Sequence, residues 1–365
     1  MTSKRVTLAD VARQAGVSSS TASLVLSGRG RELRISDAVH ERVRETAEAL
    51  GYRRNTISVG LRKGSTTTIG FVSDTVASSQ LAGGMIRGAL EAARDSGYML
   101  FMSETGGGAA QEREAVEAML DHRVDGLILA SMFTRQREAL PEELDTLPTV
   151  LLNALPPEGR QLTAIIPDEH AAGRAAAEQL LAAGHRDIHL IGAGPGLADA
   201  PAASEAGHLR LTGMLEALGE AGVPPASGYP YRSWNPAHGW EAVHDLLERG
   251  TAPEALLCFN DRLAFGAYQA LQEAGLRIPE DTSIVSFDDA PLAGWLRPAL
   301  TTFAIPHRTL GGMAVDMLVA ALQDGRRNPL SGGVHTVDMP LRTRGSLAPR
   351  RTGQPPADSR FPAGS

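Results

Sequence analysis

Apolar residues recur at helical spacing in three short stretches near the start of the chain. Leu8, Val11, Ala12 and Ala15 mark one face of a first helix, and Thr7 with Asp10 three residues on reads as a capping-box start. Gly16 and Val17 form a tight turn. Ser18 caps a second helix whose inner face is Thr21, Ala22, Val25 and Leu26. A third stripe of Val39, Val43, Ala47 and Leu50 follows Ser36 as cap and ends at Gly51. Two short helices across a glycine turn predict a helix-turn-helix, which lays its second helix in the major groove of DNA. On the turn alone, a helical hairpin at a domain edge stays open.

From Thr68 onward the pattern changes to short apolar runs alternating with alanine-rich helices, the mark of parallel α/β layers. The runs predict strands over 68–73, 98–102, 124–130, 149–153, 188–192, 255–259 and 283–287. Helices are predicted over 86–96, 109–121, 171–183, 209–221 and 261–274. The stretch 345–365, rich in Pro, Gly, Arg and Ser, reads as a disordered tail. It carries no leucine heptads, so no coiled-coil tetramerisation module is expected.

Charge sharpens the picture. Residues 1–64 hold twelve Lys/Arg against six Asp/Glu, while the rest of the 365-residue chain carries a net charge of −13. A basic head on an acidic body confines any nucleic-acid contact to the N-terminus, because phosphate neutralisation supplies most non-specific affinity. The single cysteine, Cys258, excludes an intrachain disulfide and is expected as a buried small hydrophobe. An apolar leader and any run of eighteen apolar residues are lacking, which predicts a cytoplasmic protein with no membrane partner.

At this point the chain resembles the lactose-repressor (LacI/GalR) family of transcriptional regulators. Val-Thr-Leu-Ala-Asp-Val-Ala from Val6, Ala-Gly-Val-Ser from Ala15, Ser-x-Val-Leu from Ser23 and Leu-Gly-Tyr-Arg-x-Asn from Leu50 follow in the family's order and spacing. The resemblance runs to about residue 345. It implies an α/β chain with a helix-turn-helix DNA-binding head over 1–54 and a hinge helix and linker over 55–67. A two-lobed, periplasmic-binding-protein-like effector and dimerisation domain would follow over 68–344. It also implies Thr7, Ser18, Thr21 and Ser23 on phosphates, which fix register and carry no sequence information. Ser19, Ser20 and Leu24 fall at the base-reading positions, where the family often has larger polar groups and an arginine. Asn55–Arg62 matches a hinge helix that forms on the operator, with Leu61 as the minor-groove wedge. Gly60 and the absence of proline at Arg54 loosen that hinge. The partners implied are a palindromic operator, a sugar or sugar derivative, and a second copy of the chain. No cofactor, metal or catalytic activity is implied.

Ligands in such folds bind at the C-terminal ends of strands, in the cleft between lobes. There the resemblance points to Ser79 and Gln80 in the loop after the first strand, to Asn153, and to Arg210, Trp234, Asn260, Asp261 and Asp288. Carboxylate, amide, guanidinium and indole together suit a carbohydrate, which needs hydroxyl pairing at the rim and stacking on its flat face. Each has a plainer alternative: Asp288 or Asp261 as a cap, Arg210 as a surface charge, Trp234 as core. Two rival classes fare worse. Gly192-Ala-Gly194-Pro-Gly196-Leu197 looks like a dinucleotide loop but has leucine where the last glycine belongs. Adjacent Asp288 and Asp289 point to opposite faces if extended and cannot flank a glycosidic bond as a catalytic pair. His185 and His189 lack companions for a metal site.

Overall fold

The computed structural model describes residues 6–28, 35–53, 65–79, 82–201, 204–324, 330 and 332–350. The chain divides into two compact units, Met1–Thr66 and Thr67–Ser365.

In the first unit, α1 (Leu8–Ala15), α2 (Ser19–Leu26) and α3 (Asp37–Ala49) close around Val11, Ala12, Ala15, Ala22, Val25, Val43 and Ala47. The capping box forms: the Asp10 amide donates to Thr7 Oγ1 at 3.3 Å, and the Thr7 amide donates to Asp10 Oδ2 at 3.0 Å. Gly16 ends α1 at φ 65°, a left-handed turn that a Cβ disfavours. Ser36 stands at the start of α3, but its side chain makes no capping bond, so the cap expected there is not formed. Arg42 instead ties α3 to the end of α1 by donating to the Ala15 carbonyl at 2.9 Å.

The second unit runs β1 (Thr68–Ser73), α4 (Gly83–Asp95), β2 (Met99–Glu104), α5 (Ala109–Asp121), β3 (Gly126–Gln136), β4 (Thr149–Leu155) and β5 (Thr163–Pro167). Then come α6 (Glu169–Ala182), β6 (Ile188–Gly192), α7 (Glu205–Glu220), β7 (Ser227–Pro230), α8 (Pro236–Glu248), β8 (Ala255–Cys258) and α9 (Asp261–Glu273). It closes with β9 (Ser283–Asp288), α10 (Pro291–Trp295), β10 (Thr301–Ala304), α11 (His307–Gln323), β11 (Gly333–Val337) and β12 (Leu341–Arg342). Two six-stranded sheets result, ordered β11-β5-β4-β3-β1-β2 and β12-β10-β9-β8-β6-β7. Every pairing is parallel except β10 with β12.

Parallel strands buried on both faces read as unbroken apolar runs, and β1, β5, β6 and β8 are buried along their whole length. In the first lobe, α4 and α11 cover one face through Met85, Ala89, Leu310 and Leu318, while α5 covers the other through Val116 and Met119. Cys258 is fully buried in the core of the second lobe, as expected.

The chain passes between lobes three times, after Pro167, at Ile305–Pro306 and between Val337 and Leu341. The passages are stitched together: the Asp168 amide donates to the Val337 carbonyl at 2.8 Å, and the Ala304 amide to the Pro340 carbonyl at 2.9 Å. These crossings set the cleft.

Several expectations shift. The strand expected over 124–130 runs on to Gln136, with a register irregularity between Ala130 and Arg135. Residues 345–350, expected as the start of a disordered tail, are instead tied to the second lobe. The buried Ser346 hydroxyl donates to the Ile284 carbonyl at 2.6 Å and accepts from the Thr301 amide at 2.8 Å, and the Arg350 amide donates to the Ala183 carbonyl at 2.8 Å. No helix among the described residues is long and apolar enough to cross a membrane.

Candidate functional site

Strand ends from both lobes converge on a cavity of about 30 Å3 lined by Asn153, Arg210, Trp234, Asn260 and Asp288, with Glu169 and Ser204 beside them. Met132, Phe133, Asp288 and Ile305 are shared with a larger chamber of about 360 Å3 that continues to Pro306, His307 and Arg342. The inner cavity takes one water or a single hydroxyl-sized group, whereas the outer one falls in the range of small-ligand pockets.

Most polar groups on these walls already have partners. Arg210, 2% exposed, forks onto Glu169 through Nε at 2.5 Å and Nη2 at 3.0 Å, and Nη1 donates to the Phe259 carbonyl at 2.5 Å. Its guanidinium lies 4.6 Å from the centre of the Phe287 ring. Burial works against the charge of Arg210, but the adjacent Glu169 holds it cationic, above the usual arginine range. Asn153 sits at φ 57° two residues before the end of β4. Its Nδ2 donates to the Ser131 and Met132 carbonyls at 3.1 and 3.0 Å, and its Oδ1 accepts from Thr134 Oγ1 at 2.6 Å. It therefore braces the irregular stretch of β3 and shapes the wall. Asn260 caps α9 by accepting from the Leu263 amide at 2.8 Å and donates to the Trp234 carbonyl at 3.3 Å. Trp234 donates to the Gly192 carbonyl at 2.9 Å. Its ring packs so closely on Gly207 that a Cβ there would lie 3.1 Å from the indole.

Asp288 differs from these neighbours. It ends β9 at φ 113°, and among the described residues its carboxyl makes no hydrogen bond. Strain of this kind at a strand end marks functional positions. Burial, then the nearby Asp261, push its acid up to about 8, against the pull of Arg210 and Arg262. Near neutral pH it is a carboxylic acid, able both to donate and to accept.

Asp261 is an expected site residue that does not reach the cavity. It is fully buried, accepting from the Ala290 amide and Thr302 Oγ1, each at 2.8 Å. It anchors the turn that carries Asp288. Ser79 belongs to the loop after β1 and lines neither chamber. Gln80, Asn55 and Leu61 lie outside the described residues. Glu169 escaped the sequence reading because β5, which ends two residues before it, was not anticipated, and its partner Arg210 is 41 residues away. His185 and His189 serve structure: Nε2 of His185 pairs with the Ala348 carbonyl at 3.0 Å, and Nδ1 of His189 with Ser227 Oγ at 2.8 Å. The glycine-rich stretch after β6 leads into a short 3-10 turn, and the next α-helix starts at Glu205, so it does not form the loop-to-helix phosphate cradle.

In the first unit, Ser18, Ser19 and Ser20 are exposed at the start of α2, with Thr21, Ser23 and Leu24 half-buried behind them. Ser18 Oγ accepts from the Thr21 amide at 3.0 Å and pairs with Thr21 Oγ1 at 2.8 Å, while Thr7 Oγ1 donates to Asp10 Oδ2 at 2.6 Å. Those hydroxyls hold helix starts in place. Ser20 and Leu24, one turn apart, present one face outward.

Residues 7–55 match bacterial regulatory proteins of the lacI family, and residues 177–347 match a periplasmic binding protein-like domain. The ribose operon repressor of Escherichia coli (strain K12) is 33% identical over 317 residues, covering 86% of this chain and 92% of that protein. The HTH-type transcriptional regulator AscG of the same organism is 32% identical over 331 residues, covering 88% and 94%. The lac repressor dimer, solved bound to operator and the anti-inducer ONPF, superposes with a TM-score of 0.79 at 27% identity, covering 94% of this chain and 100% of that one.

Proposed function

The chain belongs to the lacI family of bacterial regulatory proteins, and from that membership we propose that a sugar-like molecule held between its lobes sets its grip on operator DNA. It is a DNA-binding transcriptional regulator acting as a repressor, and catalysis is no part of the reading. The observation that carries the effector proposal is the convergence of Asn153, Arg210, Trp234, Asn260 and Asp288 on one cavity at the strand ends of both lobes. Of these, Asp288 is the group with hydrogen-bonding capacity to spare. Ser19, Ser20 and Leu24 read base edges, hydroxyls serving several bases and leucine a thymine methyl. Thr7, Ser18, Thr21 and Ser23 set the register on phosphates.

A two-fold dimer presents two reading helices and so takes a palindromic operator. Its face is the β2 edge of the first lobe, where Met99 is 65% exposed and Phe101 and Met102 are exposed along the same strand. Such an edge invites pairing unless covered. The effector reading is tested by thermal-shift screening of sugars, since a ligand confined to the native state raises its melting temperature. A sugar that stabilises the protein and shifts operator affinity supports it; stabilisation with operator affinity unmoved contradicts it.

A further inference from the structure

We propose that Glu169 fixes the charge of the effector: by taking up Arg210 it makes the cleft a site for an uncharged polyol and closes it to phosphate esters and carboxylates. This rests on the reading of the cleft as a sugar site.

Arg210 is the cation nearest the inner cavity, and both of its faces are committed, one to the Glu169 carboxylate and one to the Phe259 carbonyl. The ion pair is closed off from water, with side chains 3% and 2% exposed. The cations that line the outer chamber have looser partners, on exposed pairs, and the aspartate beside Arg342 is shared with Arg344. Arg308 pairs with Glu91 at 2.7 Å, and Arg342 approaches Asp289 at 3.4 Å. His307 is held neutral by burial, its pKa pushed down to about 4. Among the described residues, then, the one cation lining the inner cavity is already balanced by a buried carboxylate. Asp288 makes no side-chain hydrogen bond among the described residues, and burial raises its pKa.

At the inner wall the charge of Arg210 is balanced without a ligand. A phosphate ester would have to displace Glu169 from Arg210 or enter without a counter-ion, and burying an unpaired charge is heavily unfavourable. A neutral polyol asks only for hydrogen bonds, which Asp288 and the Ser204 hydroxyl can donate or accept.

The test sets neutral sugars beside charged counterparts: ribose with its phosphate ester, glucose with its phosphate ester, and cellobiose with its aldonate. Each is titrated calorimetrically into the full-length protein. The neutral member of at least one pair should bind at least about tenfold more tightly than its charged partner. Glu169→Gln, which leaves Arg210 without its counter-ion, should close or invert that gap, whereas Glu169→Asp, which keeps the counter-ion, should preserve it. A purely structural Glu169 would lower the melting temperature in both variants and leave the ratio of affinities unchanged, which would overturn the proposal. Equal binding of both members by the wild type would also overturn it, and that result stands even if Glu169→Gln does not fold. Silence from every pair would remove the sugar reading itself and the charge rule with it, while tight binding of an ester alone would remove only the charge rule.

Discussion

Arg210 and Asp288 share one wall and have opposite fates: the cation is spent on Glu169, while the acid is left open with its pKa raised by burial. The protonated state has a measurable signature. An ordinary aspartate titrates near 3.9, so an acid raised to about 8 in the folded chain binds a proton that the unfolded chain has released. Its contribution to stability is full below about pH 4 and is lost as pH rises through about 8. Asp288→Asn, with no proton to lose, should therefore gain melting temperature relative to wild type between those limits, and equal slopes in thermal melts across that range would refute the protonated state. The same variant mimics the acid and should keep its effector response near neutral pH. Asp288→Gly, which tolerates the positive φ but removes the group, should lose at least about tenfold in effector affinity, or ~1.4 kcal/mol. Much of this site was legible through the family resemblance, and Asn153, Arg210, Trp234, Asn260 and Asp288 line one cavity. What sequence could not convey was which atoms are already committed, because Asn153 is spent on backbone carbonyls of β3 and Asp261 on the Ala290 amide.

Among the elements, α2 separates stability from recognition. Ser18→Ala removes the cap on the Thr21 amide and should cost about 1 kcal/mol of stability, read as a lower melting temperature. Ser20→Ala, at an exposed position, should leave the melting temperature alone and change which operator bases are preferred; a selection from random DNA that returns the same site for wild type and variant would contradict a base-reading role. The β2 edge carries its own prediction. Phe101→Asp places a charge on the exposed apolar strand and should shift the protein to monomer in sedimentation analysis, and a dimer of undiminished stability would move the interface elsewhere. Elements with long apolar runs were legible in the sequence, β1 and β6 at their full extent. Those that escaped are short or depend on distant partners. β5 ends in a proline, β10 spans four residues, and β11 pairs with β5 across about 170 positions of chain. Helix α11 follows β10 of one lobe yet packs in the core of the other, an exchange that no local pattern announces.

At the scale of the whole molecule, a DNA-reading head and a ligand cleft share one chain, and their coupling must be reciprocal: an effector that changes operator affinity by some factor has its own affinity changed by the same factor. The three passages between lobes, at Pro167, Ile305 and the segment after Val337, are where a ligand bridging the lobes would exert strain. The most direct test of the account is operator binding followed by fluorescence anisotropy, on a site selected from random DNA, with and without the neutral sugar that most raises the melting temperature. The account predicts an approximately palindromic site, an operator affinity shifted at least about fivefold by that sugar, and no shift in Asp288→Gly. An operator affinity that stays constant while the sugar occupies the cleft, or a shift that survives in Asp288→Gly, would contradict it.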